Sequence, residues 1–144
     1  MTEQPLLDAG VLRVIDANLN RLREALRVVE EYFRFINSDE AAAVGLKQMR
    51  HSIERIESGV GRAALLAHRD TETDPFAREN RPEELTRNRT IDVLAANLKR
   101  AQEAARVLEE YVKLTDAPRL SEIAKTVRFD LYLIEKNTLG ASHP

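Results

Sequence analysis

The sequence contains no cysteine and no tryptophan, and glycine and proline occur five times each in its 144 residues. Without cysteine there is no disulfide framework and no thiolate chemistry. The three histidines, His51, His68 and His143, show no spacing typical of a metal site, which argues against a zinc centre. The phosphate-loop pattern Gly-x-x-x-x-Gly-Lys-Ser/Thr is missing, and the Gly-Val-Gly run at 59–61 is too short for a dinucleotide fingerprint.

Strong charge of either sign and long apolar runs are also lacking. A formal charge of −2 and a pI near 6.0 give no sign of a nucleic-acid-binding surface. The first 30 residues do not follow the pattern of a signal peptide, and no run approaches membrane-spanning length. We therefore expect a cytoplasmic protein with neither nucleic acid nor membrane as partner. With 43% hydrophobic and 32% charged residues, residues 1–144 can form one domain with its own core.

The chain does contain an internal repeat. Residues 14–32 match residues 93–111 at a shift of 79 positions, and 12 of the 19 residues are identical. A shift of 78 then relates Lys47, Arg50, Ile56 and Glu57 to Lys125, Arg128, Ile134 and Glu135. A unit of two elements has therefore been duplicated, with the first repeat at about 11–58, an unrepeated insert at about 59–89 and the second repeat at about 90–139.

The repeated elements have the pattern of helices. Apolar residues recur at helical spacing, and no segment shows the alternation of a strand. We predict long helices over about 11–36, 40–57, 91–114 and 119–137, with a short helix, a polar loop and a helical start at Pro82 in the insert. The polar cluster at 37–39 ends the first helix and caps the second. The predicted fold is all-α: two helical hairpins related by a pseudo-two-fold axis, packed as a four-helix bundle with the insert across one end.

An asparagine interrupts the apolar face of the first helix. At 3.6 residues per turn, one line of its surface carries Asn18, Leu22, Ala25, Val29 and Ile36. Arg21 borders this line, and the second repeat carries Asn97 and Arg100 at the same places. The pairs have two interpretations that the sequence leaves open. They fix helix register while the arginine stem covers apolar surface, or they line a polar cavity for an anionic ligand.

Two further groups of charged residues are candidates for a site. Arg50 and Glu57 lie on one helix face and recur as Arg128 and Glu135, which indicates either ion pairs between helices or part of a binding site. The insert loop carries a second group, Arg69, Asp70, Glu72 and Asp74. Closely spaced carboxylates in a loop are often merely solvated, but they also hold hard cations such as Mg²⁺. The loop breaks the symmetry of the repeat, as a transfer between two unlike substrates requires.

Six short strings of the sequence, taken together, carry a resemblance to a known family. They are Ile-Asp-Ala-Asn-Leu-Asn-Arg at 15–21, Glu-Ala-Leu-Arg-Val-Val-Glu at 24–30, Leu-Lys-Gln-Met-Arg-His at 46–51, Arg-Asp-Thr at 69–71, Ala-Asn-Leu-Lys-Arg at 96–100 and Leu-Glu-Glu at 108–110. Over roughly residues 12–139, this combination resembles the helical domain often found ahead of bacterial thiamine-phosphate synthase. The chain departs from that domain at 73–77, where Thr-Asp-Pro-Phe-Ala stands in place of a glycine-containing Gly-Asp-Val-Gly-Thr.

The domain that the chain resembles is regarded as a non-canonical hydroxymethylpyrimidine phosphate kinase. The resemblance implies transfer of the γ-phosphoryl group of ATP, with Mg²⁺, to a pyrimidine phosphate. The chemistry of the candidate side chains suggests phosphate binding by Arg21, Lys47, Arg50 and Arg100. We expect Asn18 and Asn97 at the pyrimidine or phosphate edge, Asp70 and Asp74 at the metal, and Arg69 and Asp70 as catalytic residues.

Two other classes of function remain open. One is a non-catalytic helical module that binds or steadies a partner of the thiamine pathway, such as thiamine-phosphate synthase. The other is an all-helical isomerase of the chorismate mutase type, which also places arginine, lysine and glutamate inside a bundle. A homo-oligomer is compatible with each of these readings.

Overall fold

The computed structural model describes residues 8–82 and 85–140, and every regular element in this part of the chain is helical. The predicted all-α class is confirmed. The α-helices are α1 (Ala9–Glu31), α2 (Glu40–Val60), α3 (Arg62–Ala67), α4 (Thr90–Tyr111) and α5 (Ser121–Leu139). Short pieces of other helix types follow α1 (Tyr32–Ile36, a π-helix), follow α4 (Val112–Leu114, 3₁₀) and precede α5 (Pro118–Leu120, 3₁₀). The helical start predicted at Pro82 involves residues 83 and 84, which lie outside the described residues.

Local side-chain chemistry defines both ends of the first helix. Asp8 caps α1, because its Oδ1 accepts from the backbone N of Gly10 at 2.6 Å, so the helix begins two residues earlier than predicted. The polar cluster at 37–39 acts as predicted, since Asp39 caps α2 through Ala42 N at 3.1 Å. The prediction that Ile36 continues the apolar line of the first helix was wrong. Its side chain is 56% exposed, because the wider π turn at 32–36 takes the chain out of the α-helical register of the apolar line.

A glycine with positive φ separates the second helix from the insert. The helix α2 continues to Val60, three residues beyond its predicted end at residue 57. Gly61 then has φ of +118°, a conformation that side chains with a Cβ rarely adopt. The chain turns there and enters α3, whose Leu65 is buried in the core. The short helix thereby holds the start of the insert against α1 and α2.

The core forms around the pair α1 and α4, which have the most extensive contact in the structure. The helix α2 packs on α1 and α5 packs on α4, so each hairpin contributes one inner and one outer helix. Fully buried side chains include Leu22 and Leu26 of α1, Leu98 and Leu108 of α4, and Ile53 of α2. Burying one such side chain contributes about 2 kcal/mol. In the described residues, no helix has both the length and the apolar character needed to cross a lipid bilayer.

Candidate functional site

The two asparagines of the repeat occupy equivalent places on α1 and α4. Asn18 Nδ2 donates to the carbonyl oxygen of Val14, and Asn97 Nδ2 donates to that of Val93, both at 2.9 Å. Each bond spans four residues of the same helix and uses one of the two N–H groups of the amide. The Oδ1 acceptor and the second N–H of each asparagine remain for other partners.

Both asparagines line an open cleft of about 570 Å³ between α1 and α4, which we call the symmetric cleft. Its walls consist of five pairs of residues, and the members of each pair are 79 positions apart. The pairs are Asn18 and Asn97, Arg21 and Arg100, Glu24 and Glu103, Ala25 and Ala104, and Val28 and Val107. The duplication has therefore produced two matching halves of one cleft, whose size is that of a typical small-molecule site.

The symmetric cleft combines charged and apolar groups. Two guanidinium groups and two carboxylates give its walls a formal charge of zero, and the alanine and valine pairs supply apolar surface. An arginine fork suits phosphate or carboxylate, whereas carboxylates and asparagine Oδ1 atoms accept hydrogen bonds. The cleft therefore fits a small ligand that carries both an anionic group and hydrogen-bond donors.

A second open cleft, of about 910 Å³, lies between α1 and the loop that follows α3, and we call it the insert cleft. The charged residues of its α1 wall include Arg13, Arg21 and Glu24. The loop contributes Asp70 and Asp74 to the opposite wall. Cations and carboxylates thus face each other across a space that is large enough for a nucleotide-sized molecule.

The two clefts meet along α1. Asn18, Arg21 and Glu24 line both of them, whereas their counterparts on α4 line the symmetric cleft. A ligand in each cleft would therefore contact the same three side chains. Two molecules bound in the two clefts would lie side by side along α1.

An ion pair connects the insert loop to α1. Arg69 Nε donates to Asp16 Oδ2 at 2.7 Å, and Arg69 Nη2 donates to Asp16 Oδ1 at 2.8 Å. The Asp16 carboxylate raises the pKa of Arg69 above its usual range, mainly through these hydrogen bonds. The predicted catalytic residue Arg69 thus lies on the wall of the insert cleft with its fork directed to a carboxylate of the protein itself.

The predicted metal ligands shape turns of the loop. Asp70 accepts hydrogen bonds from the backbone N of Glu72 at 3.1 Å, from that of Thr73 at 3.0 Å, and from the Thr73 hydroxyl. The Thr73 hydroxyl and these backbone bonds lower the pKa of Asp70. Asp74 Oδ1 accepts from Phe76 N at 2.9 Å, so aspartate side chains build the turns of a segment that lacks glycine.

Both aspartates face the insert cleft, and the metal role stays a prediction. Within residues 8–82 and 85–140, no group of three histidine, aspartate or glutamate side chains converges to hold an ion. Mg²⁺ at a nucleotide site takes one or two carboxylates, with phosphates and waters completing the shell. The donor set of Asp70 and Asp74 therefore fits a metal that arrives with phosphates.

The structure places Lys47 and Arg50 elsewhere. Both lie on α2 and neither is among the residues that line the two clefts. Lys47 is exposed, whereas Arg50 Nη2 donates to Glu30 Oε2 at 2.9 Å across the α1–α2 interface. The second repeat has the same bond, from Arg128 to Glu109 at 2.8 Å. Arg50 thus forms an ion pair between helices, which is one of the two interpretations that the sequence left open.

Glu57 also belongs to an ion-pair cluster, but with other partners than Arg50. Arg23 of α1 approaches it to 2.6 Å and Arg62 of α3 to 2.7 Å. The hydrogen bond from Arg23, followed by that from Arg62, lowers the pKa of Glu57 although partial burial opposes the shift. The cluster joins the start of the insert to the first hairpin.

Sequence reasoning missed four charged residues of the clefts, of which Arg13 lies just before the repeated stretch and gave no signal. Glu24 and Glu103 follow Arg21 and Arg100 by three positions in both repeats, and this spacing places them on the same helix face. That signal was available in the repeat. Asp16 gave a weaker signal. The second repeat has Ala95 in its place, and a position that differs between two similar repeats indicates a role in one half alone.

The family model of the ThiD2 family matches residues 13–137. Curated relatives named thiamine-phosphate synthase are similar to this chain. The protein of Thermosynechococcus vestitus is 44% identical over 124 residues, which cover 86% of this chain and 34% of that protein. The protein of Gloeobacter violaceus is 42% identical over 130 residues, covering 90% of this chain and 37% of that protein.

A third relative, the thiamine-phosphate synthase of Synechocystis, is 40% identical over 132 residues, which cover 92% of this chain and 37% of that protein. The chain thus spans about a third of the length of the curated relatives it matches. No solved structure matches the chain.

Proposed function

Because the chain belongs to the ThiD2 family, we propose that it transfers the γ-phosphoryl group of ATP to hydroxymethylpyrimidine phosphate in thiamine biosynthesis. The observation that carries this proposal is the junction at Asn18, Arg21 and Glu24, where two clefts share one wall. Phosphoryl transfer is mostly positioning and charge neutralisation, so two ligand spaces that meet at an arginine suit it.

We assign the pyrimidine phosphate to the symmetric cleft. An aminopyrimidine presents an amino group, which needs acceptors such as Asn Oδ1 or the carboxylates of Glu24 and Glu103. Its phosphate needs the guanidinium groups of Arg21 and Arg100. The volume of about 570 Å³ and the apolar alanine and valine pairs accommodate the ring. Asn18 and Asn97 then act at the amino edge of the pyrimidine.

We assign ATP and Mg²⁺ to the insert cleft. This cleft is larger than the symmetric cleft, and one of its walls is the loop that has no counterpart in the second repeat. Arg13 and Arg21 on α1 face the loop carboxylates of Asp70 and Asp74. The arginines would contact the polyphosphate, and the aspartates would hold Mg²⁺, which neutralises phosphate charge when bound. Lys47 and Arg50 have no part in this assignment, because they lie outside both clefts.

The proposed step needs no proton abstraction. An oxygen of the substrate phosphate attacks the γ-phosphorus, the bond from that phosphorus to the bridging oxygen of ADP breaks, and a diphosphate forms. The attacking oxygen is already ionised near neutral pH. The task of Arg21 at the junction is to stabilise charge on the transferred group, and that of the cleft walls is to hold the two phosphates in line.

A second candidate is a non-catalytic module that associates with a thiamine-phosphate synthase. The observation that favours it is the length of the relatives, in which the matched region is about a third of the protein. In that case the Asn and Arg pairs would be structural, and the clefts would bind neither ATP nor the pyrimidine.

The experiment that decides between these candidates is a transfer assay on the 144-residue chain. Purified protein is mixed with ATP, Mg²⁺ and hydroxymethylpyrimidine phosphate, and phosphorus NMR follows ADP and the pyrimidine diphosphate. We expect both products in equal amounts, and no transfer when Mg²⁺ is chelated. ADP without the diphosphate, or no turnover together with no heat of ligand binding, would contradict the proposal. Binding of a small dicarboxylate instead would favour the isomerase class.

A further inference from the structure

The insert cleft depends on how the loop after α3 is held. The described residues 68–82 and 85–89 are all exposed, so apolar burial does not fix this segment. Within the described residues, the hydrogen bonds of residues 70–82 stay inside the segment itself. Among the described residues, the hydrogen bonds that join this loop to α1 are the two of the bidentate ion pair between Arg69 and Asp16.

The ion pair is anchored at its α1 end. The Asp16 side chain is 10% exposed, whereas that of Arg69 is 42% exposed, so a nearly buried carboxylate holds a partly solvated fork. Two parallel N–H to O bonds fix both the distance and the angle between helix and loop. Asp70 follows Arg69 directly, and the turns built by Asp70 and Asp74 position the wall of the insert cleft from this point.

The second repeat lacks this connection. The residue equivalent to Asp16 is Ala95, which has no group that could hold an arginine. The duplication made both halves of the symmetric cleft. The insert and the carboxylate that anchors it occur once, and both lie on the side of α1. Asp16 marks the half of the molecule in which a second, unlike ligand space exists.

We propose that Asp16 is a positioning residue that acts through Arg69 to hold the loop as the nucleotide wall of the insert cleft. This inference rests on the proposed function, since it assigns ATP to that cleft. Arg69 is then engaged by the protein rather than by phosphate, and its loss acts through the geometry of Asp70 and Asp74. The affinity for Mg²⁺-ATP depends on the ion pair, whereas that for the pyrimidine phosphate does not.

A double-mutant cycle tests the inference, with Asp16→Asn, Arg69→Met and the double variant. Titration calorimetry gives the Kd of Mg²⁺-ATP, and steady-state kinetics give KM for each substrate. We expect each single variant to raise the Kd and KM of Mg²⁺-ATP about tenfold, and the double variant to add little, because both remove the same contact. The KM of hydroxymethylpyrimidine phosphate should change less than about twofold.

The cycle separates positioning from direct contact. If Arg69 binds phosphate itself, Asp16→Asn frees the fork and ATP affinity stays or improves, while Arg69→Met lowers it. That result, or additive effects of the two changes, would overturn the inference. Arg69→Lys is the conservative variant, and it should fall between wild type and Arg69→Met because lysine keeps the charge but not the fork.

A matched control is Glu31→Gln, which removes an exposed ion pair with Arg27 on the same helix, away from both clefts. It should leave both KM values unchanged. Hydrogen exchange of residues 70–80, measured without substrate, should be faster in Asp16→Asn and unchanged in Glu31→Gln. A wild type without turnover but with this exchange pattern would defeat the proposed function alone, whereas a wild type that turns over with no exchange difference would defeat the loop anchor alone.

Discussion

The helices α1 and α4 carry asparagine, arginine and glutamate at the same three places, and these residues face one cleft from both sides. Two positions before the asparagine the helices differ, with Asp16 on α1 and Ala95 on α4. The shared residues produce a site with two matching halves. Asp16 pairs with Arg69 of the insert loop and so places a second cleft, with an unlike wall, beside one of these halves. The comparison shows how a duplicated helix pair can acquire an asymmetric cleft.

The largest expected effect tests whether the two hairpins are stabilised in the same way. Glu30→Gln and Glu109→Gln each leave a largely buried guanidinium, of Arg50 or Arg128, without its carboxylate. We expect each change to lower the free energy of unfolding by about 3 kcal/mol. Urea denaturation followed by circular dichroism measures both values, with the exposed Glu54→Gln as control. A large loss in one hairpin and none in the other would show that the halves are not energetically equivalent.

The next effect sharpens the difference between the two arginines of the symmetric cleft. Arg21 lines both clefts and Arg100 lines the symmetric cleft, so we expect Arg21→Ala to lower kcat/KM for both substrates, by about 100-fold. Arg100→Ala should mainly raise the KM of the pyrimidine phosphate. Steady-state kinetics of both alanine variants and of the matched lysine variants give the comparison. Equal effects of the two alanine variants on the KM of Mg²⁺-ATP would contradict the asymmetry.

A smaller effect concerns the second ion pair of each hairpin. Glu57 has arginine partners at 2.6 and 2.7 Å, whereas its counterpart Glu135 approaches Lys99 at 3.7 Å. We expect Glu57→Gln to lower the free energy of unfolding by about 1 kcal/mol, and Glu135→Gln to change it by less than about 0.5 kcal/mol. Urea unfolding of the two variants at pH 7 tests the ranking, and a reversed order would contradict it.

The pH dependence of Glu57 has a defined sign. Its pKa is lowered in the folded protein, so its contribution to stability is present above the ordinary glutamate pKa of about 4.3. The contribution is lost as the pH falls through the lowered folded value. The stability difference between wild type and Glu57→Gln should therefore be full at pH 7 and shrink toward pH 3. A difference that persists at the acid end would contradict the assigned cause.

The smallest expected effect on stability is that of Asp70→Asn in the loop. The side chain is exposed, and asparagine keeps an oxygen that can accept from the backbone N of Thr73. We expect the urea midpoint to stay unchanged within error. Turnover should fall and the Mg²⁺ requirement should rise if the carboxylate holds the metal. Unchanged turnover at low Mg²⁺ would remove Asp70 from the metal site, and the exposed Glu72→Gln serves as the control.

Helical periodicity and the repeat predicted the all-α class and most helix bounds. They also predicted that Asn18 and Asn97 lie on equivalent faces, because a duplication gives equal residues equal places. Periodicity could not predict the partner of Arg69, since that contact joins residues 53 positions apart through an exposed loop. It also could not decide that Arg50 turns toward Glu30, because a residue at the border of a helix face can contact either neighbour.

The central claim is that α1 and the insert loop form the nucleotide half of a two-ligand site. A crystal structure with Mg²⁺, a non-hydrolysable ATP analogue and hydroxymethylpyrimidine phosphate tests this claim most directly. We predict the triphosphate in the insert cleft, the pyrimidine in the symmetric cleft, and the terminal phosphate at the junction beside Arg21. A nucleotide bound away from α1, or both ligands outside the two clefts, would contradict the account.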